Sequence, residues 1–332
     1  MNLENVNQTE NCFSICSEKT TVSTTVHVLL YISAVAVVLL TVLGNLLVII
    51  SVCHFKRLHT PNNILILSLA VSDLLVGLIS MPLHFIWKIE SCWFFGFIFC
   101  HIYNFFSFHV TSVSAHNVAL IAIDRYFALS HPLRYSKEVS KSVMYIVVLF
   151  NWVFSLFYNF ALLYSNGNFT DLTMCPGECF LVQDEVWSLV DVLIVFVFPC
   201  AVIIILYVGI FFIARKHINS IRKLDIQRNG VDGKHAKDSV TSERKAAKVL
   251  GILVCVFLAC LIPYYVCIFV SNTIGGEFFY NVINNVLIFF YLNSCINPII
   301  YALFYPCFQK SIKLILTCQI FNMNSSLINV LG

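Results

Sequence analysis

The stretch Val26–Cys53, VHVLLYISAVAVVLLTVLGNLLVIISVC, carries one imidazole, one asparagine and no acid, lysine or arginine in 28 residues. As a helix rising ~1.5 Å per residue it outspans a hydrocarbon core of ~30 Å, which needs ~20 residues. Six more stretches downstream meet the same length: Ile64–Trp87, Trp93–Ala122, Val143–Tyr164, Val186–Ala214, Ala246–Val270 and Val282–Tyr305. They are numbered spans one to seven in chain order. Composition agrees, with 59% hydrophobic residues, 11% charged residues and 30 phenylalanines in 332. No water-soluble core has that balance. The runs are continuous rather than alternating and too long for barrel strands, so helices are expected. The predicted fold is an all-α membrane protein, a seven-transmembrane helix bundle.

Charge sets the expected orientation. Lys56, Arg57, Arg134, Lys137, Lys141 and ten basic residues between Arg215 and Lys248 follow the odd-numbered spans one, three and five, and Lys310 and Lys313 follow span seven. The opposite loops hold Lys19 and Lys88 against nine acids, so the positive-inside rule puts the amino terminus outside and the carboxyl terminus in the cytoplasm. The net charge of +3 therefore points to a membrane face and a cytoplasmic partner, and not to nucleic acid. The resulting division is a tail at 1–25, a membrane domain at 26–305 with a long polar cytoplasmic loop at about 216–245, and a tail at 306–332. The tail 1–25 has no apolar signal core, so span one is expected to direct insertion. Phe304, Phe308, Ile312 and Leu316 recur every four residues with Lys310 and Lys313 off that face, which predicts a short amphipathic helix on the inner leaflet.

Fourteen cysteines divide by compartment. Cys12, Cys16, Cys100, Cys175 and Cys179 fall on or near the oxidising side, and the rest, Cys92 among them, mostly within spans or inside. A bridge is expected from Cys100 to the loop bearing Cys175 and Cys179. Sequons at Asn7 and Asn168 lie on the same face and predict glycosylation there.

Polar residues inside the spans carry a pattern. Asn45, Asp73, Asp124-Arg125-Tyr126, Trp152, Pro199, Phe257-x-x-Cys260-x-x-Pro263 and Asn297-Pro298-Ile299-Ile300-Tyr301 occur in order, one set per helix. The chain thereby resembles the rhodopsin-like G-protein-coupled receptors over essentially its whole length. From Cys100 to Arg125 is 25 residues, ~37 Å of helix, so Arg125 reaches the cytoplasmic interface. There Asp124 can pair with it, and Glu243 could reach it from span six. Breaking such a cross-helix pair would open a cytoplasmic groove. The resemblance implies that Asp124, Arg125, Tyr126, Glu243, Phe257, Leu261, Pro263, Asn297, Pro298 and Tyr301 serve activation and G-protein coupling. It also implies a sodium ion at Asp73, Ser114, Asn293 and Asn297, against a protonated, hydrogen-bonded Asp73. No other cofactor is implied.

Asp191 is the remaining carboxylate within a span, eight residues before Pro199. No Lys or Arg lies in the outer half of any span, so its counter-ion is expected to be a cationic ligand, a protonated amine. Tyr264, Tyr265 and Tyr291 are the aromatic candidates to box it. Finer motifs, Ser91-Cys92-Trp93-Phe94-Phe95-Gly96, His131-Pro132-Leu133-Arg134-Tyr135 and Tyr291-Leu292-Asn293-Ser294, look like the trace amine-associated receptors, the olfactory amine receptors. That likeness implies a Cys100–Cys179 bridge and a second from Cys12 or Cys16 to Cys175. It implies a ligand site of Asp191, Ser107, Thr111, Tyr264, Tyr265, Leu287 and Tyr291, and coupling to a stimulatory or olfactory G protein that raises cAMP, with arrestin and a receptor kinase as further partners. The chain departs from most aminergic receptors at three points. Ser107 stands where span three usually has an acid, Leu261 where span six has Trp, and Ala115 where a bulkier residue is usual. Asp191 matches the span-five acid of a fish-type branch of the family.

The alternatives are a receptor of the same fold for a non-amine ligand, and a transporter. Seven spans give no even inverted repeat, which disfavours the transporter. An enzyme is not expected, because His84, His101, His109 and His116 pair with no Cys or acid at ligand spacing; His109 and His116 read as packed, hydrogen-bonded histidines on one face of span three.

Overall fold

The computed structural model describes residues 23–165, 177, 179, 185–227, 251–252, 254–270, 277–322 and 325–330. The expected sites at Asn7, Cys12, Cys16, Asn168, Cys175 and Glu243 lie outside the described residues. Every described segment with regular structure is helical. Thr24–His54, Pro61–Glu90, Gly96–Ser130, Lys141–Ser165, Val186–Ile213 and Asn285–Phe304 are long and apolar enough to cross a bilayer, and Val254–Val270 is the described part of span six. The seven-helix bundle is thus present as expected.

The packing is that of a protein whose solvent is lipid. Ile146, Phe150, Phe157 and Ile205 are each at least 67% exposed, while Asn45, Asp73, Asn117, Ser155 and Asn159 are fully buried. With lipid as apolar as leucine, helices gain little by hiding apolar side chains, and small residues and hydrogen bonds join them instead. Asn45 Nδ2 donates to the Ser294 carbonyl at 3.0 Å, tying span one to span seven. Ser68 Oγ donates to Asn117 Oδ1 at 3.1 Å, and Trp152 Nε1 donates to Ser68 Oγ at 3.0 Å, joining spans two, three and four. Gly44 lets the backbones of spans one and seven touch: a Cβ there would sit 2.8 Å from Pro298 Cγ.

The span prolines are accommodated in two ways. Turns of π-helix at Val76–Ser80 and Val192–Val197 immediately precede Pro82 and Pro199. Each widened turn makes room for a ring that would clash with the carbonyl four residues back, and such turns gather at functional sites. The span-two bulge is an addition to the sequence reading, which singled out Pro199, Pro263 and Pro298. Pro298 stays inside one continuous helix, Glu277–Phe304.

The Cys100–Cys179 bridge is formed, and Trp93 N donates to the Gly177 carbonyl at 2.7 Å beside it. Cys92 requires a correction: it lies in the turn between spans two and three and is disulfide-bonded. Its partner is outside the described residues. Adjacency to the apolar Trp93-Phe94-Phe95 run made it look like a span residue. At the other end, the helix of span five continues to Gln227, so the first part of the stretch read as loop, 216–245, is helical. The amphipathic helix is present at Pro306–Leu316, with Phe308 fully buried against Tyr301 and Tyr305 and Leu316 68% exposed.

Candidate functional site

Asp191 ends the first helical segment of span five, and the π-turn after it rotates the residues that follow. Its side chain points into the bundle, 4% exposed. Tyr158 of span four donates its hydroxyl to Asp191 Oδ1 at 3.0 Å. Among the described residues the carboxylate has no cationic partner. A charge at this depth costs ~2.5–3.5 kcal/mol on insertion scales, and one hydrogen bond to a charged group returns ~1.5–3 kcal/mol, so the acid is at best marginally compensated. Aromatic rings gather nearby. Tyr264 and Tyr265 lie within electrostatic range of the carboxylate, and their rings meet edge to face at 5.2 Å. Phe196 stacks on Tyr265 at 4.5 Å and Phe290 closes on both tyrosines.

His116 of span three fixes the local shape of span five. Its Nε2 lies 3.3 Å from the Ile194 carbonyl inside the π-turn, and its Nδ1 lies 3.4 Å from Ser155 Oγ on span four. A widened turn frees carbonyls, and this imidazole takes one of them.

Of the remaining ligand candidates, Tyr291 is also within electrostatic range of Tyr264. Tyr291 shares a hydroxyl contact of 3.1 Å with Tyr103, and Ser107 Oγ donates to Ser80 Oγ at 2.9 Å. Thr111 turns its hydroxyl back onto the carbonyl of Ser107, within span three's own backbone. Leu287 packs against the apolar side chains of both groups.

Asp73 has a different environment. It is fully buried and accepts from Ser114 Oγ at 2.9 Å, Ser294 Oγ at 2.8 Å and Asn297 Nδ2 at 2.8 Å. Ser294 was not singled out from sequence, although it stands three residues before Asn297 and hence on the same helix face. The Oδ1 atoms of Asn293 and Asn297 are buried without a partner among the described residues. With the Asp73 carboxylate and the Ser114 hydroxyl they are oxygen donors of the kind a hard cation takes. Asp73, Ser114, Asn293 and Asn297 therefore fit a sodium ion.

At the far end of span three, Arg125 pairs with its neighbour: Nη2 lies 2.6 Å from Asp124 Oδ2. Tyr135, on the short helix Pro132–Glu138, donates to Asp124 Oδ1 at 2.8 Å. Burial, with the Asp124 carboxylate second, holds the Tyr135 hydroxyl above the ordinary phenol range, so it stays a donor at neutral pH. Tyr126 lies against Gly209 of span five, where a Cβ would come 2.7 Å from its ring. Phe257, Leu261 and Ala115 are buried in one core cluster, and Tyr301 is buried with its hydroxyl unpartnered. The small Ala115 and the branched Leu261 thus occupy the middle of the bundle.

Residues 44–301 match the family model of the seven-transmembrane receptors of the rhodopsin family. Trace amine-associated receptor 13c of Danio rerio is 40% identical over 306 residues, covering 90% of this chain and 89% of the relative. The chain belongs to the trace amine-associated receptors. Receptor 4 of Rattus norvegicus is 34% identical, over 90% of this chain and 87% of its own, and receptor 7e of Mus musculus 38%, over 88% and 83%. As a member of a receptor family the chain is a multi-pass membrane receptor and not an enzyme. Against that family, its structure divides the sequence-predicted ligand residues into two groups. Asp191, Tyr264 and Tyr265 come together around Tyr158, which sequence reasoning missed because it lies on span four among lipid-facing phenylalanines. Ser107 and Tyr291 meet Tyr103, Ser80 and His84 instead.

Proposed function

We propose that this chain is an amine receptor in which a protonated amine enters from the disulfide-bridged, extracellular side and forms a charge-assisted hydrogen bond with Asp191. The observation that carries this reading is the buried carboxylate of Asp191, held by one neutral hydroxyl and faced by Tyr264 and Tyr265. An ammonium supplies the missing charge in a low-dielectric site, and ring faces add cation–π attraction. The names of the relatives, trace amine-associated receptors, favour the same ligand class.

Binding that draws spans five and six together around the amine would act through the core at Ala115, Phe257 and Leu261. Its far consequence is the release of Arg125 from Asp124 and the opening of a groove for a heterotrimeric G protein. The basic loops favour a cytoplasmic position for that groove. We take the partner to be the stimulatory or olfactory G protein, raising cAMP, with arrestin and a receptor kinase acting on the same face, in the plasma membrane. A sodium ion at Asp73, Ser114, Asn293 and Asn297 would hold spans two, three and seven in the resting arrangement; what supports it is the pair of orphan amide oxygens.

The test is nucleotide exchange on an added stimulatory G protein by the receptor in nanodiscs, across a panel of primary, secondary and tertiary amines and their uncharged alcohol analogues. Exchange driven by amines and not by the alcohols is expected. Exchange driven equally by both, or by neither, contradicts the reading.

A further inference from the structure

Spans two, three and seven hold a second polar cluster, in which no Asp, Glu, Lys or Arg takes part among the described residues. Tyr103 OH is 3.1 Å from Tyr291 OH and 3.4 Å from His84 Nδ1, and Ser107 Oγ donates to Ser80 Oγ at 2.9 Å. Ser107 also interacts with both tyrosines, so the five side chains form one network. All are buried: Ser80 and His84 fully, Tyr103 and Tyr291 to 3%, Ser107 to 6%. The network uses side chains from spans two, three and seven, and Ser107 occupies the position that bears an acid in most aminergic receptors.

Proton bookkeeping shows what the network reads. Each hydroxyl brings one proton and two acceptor sites. Along the Tyr103–Tyr291 contact one hydroxyl donates and the other accepts, and the Ser107 proton goes to Ser80. Acceptor sites outnumber protons, and among the described residues no carboxylate joins the network. A neutral donor such as a hydroxyl satisfies it. A second ammonium would bring a buried charge with no counter-ion among the described residues, which is costly inside a membrane.

The two clusters are linked through Tyr264, which is within electrostatic range of both Asp191 and Tyr291, and Leu287 packs against the apolar clusters that hold Tyr264 and Tyr291. A ligand anchored at Asp191 and running past Tyr264 and Leu287 would put its far end on the hydroxyl network.

Resting on the amine reading above, we propose that the network of Ser80, His84, Tyr103, Ser107 and Tyr291 is a distal subsite for a neutral hydrogen-bonding group. The preferred ligand class is then a monocationic amine with a hydroxyl at its far end, an amino alcohol.

The experiment is a cAMP dose-response with three compounds of equal backbone length, at several lengths: the alkylamine, the terminal amino alcohol and the terminal diamine. At the best length the amino alcohol is expected to exceed both others by about tenfold, the equivalent of one good hydrogen bond. Ser107→Ala and Tyr291→Phe should each shrink that advantage to about twofold, read as the ratio of amino alcohol to alkylamine potency in the same variant. Surface expression is measured alongside, and if Tyr291→Phe fails to reach the surface, Ser107→Ala carries the test. An amino alcohol no better than the alkylamine, or an advantage untouched in Ser107→Ala, overturns the subsite while leaving the amine reading intact. Silence toward all three compounds overturns both.

Discussion

Asp73 and Asp191 are both buried within membrane spans, and their surroundings differ in the way that separates a framework group from a recognition group. Asp73 accepts three hydrogen bonds from spans three and seven, with orphan amide oxygens nearby; Asp191 accepts one, from a tyrosine. Each hydrogen bond to a buried charge offsets ~1.5–3 kcal/mol of the cost of having it there. Three of them solvate Asp73 from within. One leaves Asp191 near break-even, so a cation from outside has most to gain at Asp191.

Exchanging each acid for its amide breaks the comparison most sharply. Asp191→Asn is expected to weaken amine potency at least about 100-fold, the loss of a buried charge-assisted hydrogen bond. Asp73→Asn should leave amine binding within about tenfold and remove any effect of sodium concentration on it, read by radioligand binding in sodium against choline chloride. Equal losses in the two variants would erase the distinction. A smaller effect sharpens it: Tyr158→Phe removes the donor that aims Asp191 but not the charge, so potency should fall by only about threefold, less than 1 kcal/mol. His116→Phe should fall near Tyr158→Phe, because it frees the Ile194 carbonyl and loosens the π-turn behind Asp191. His116→Gln, which can still donate, should restore potency.

The bundle was legible in the sequence because apolar length is a one-dimensional signal; six spans, and the described part of span six at Val254–Val270, lie where hydropathy puts them. Asp191 was legible as well, since an acid without a basic neighbour is conspicuous in a span. What the sequence hid depends on helix rotation and on contacts across the bundle. Tyr158 sits in a run of aromatic residues, Phe154, Phe157 and Phe160, and only the three-dimensional register turns it inward. Ser107 and Tyr291 carry the motif positions of an amine site, yet the structure gives them to a neutral network, because Ser80 on the bulged span two comes within reach. Ser294 was passed over beside the more conspicuous Asn293 and Asn297. Cys92 falls between spans two and three, and its apolar neighbours give no sign of the disulfide it forms.

The most direct test is a charge cycle: binding of one amine and of its uncharged hydroxyl isostere to the wild-type receptor and to Asp191→Asn, at matched amounts of folded protein. The wild type should prefer the amine by about 100-fold, and the variant should bind the two within about threefold of each other. A preference for the amine that survives intact in the variant would show that the cation is held elsewhere.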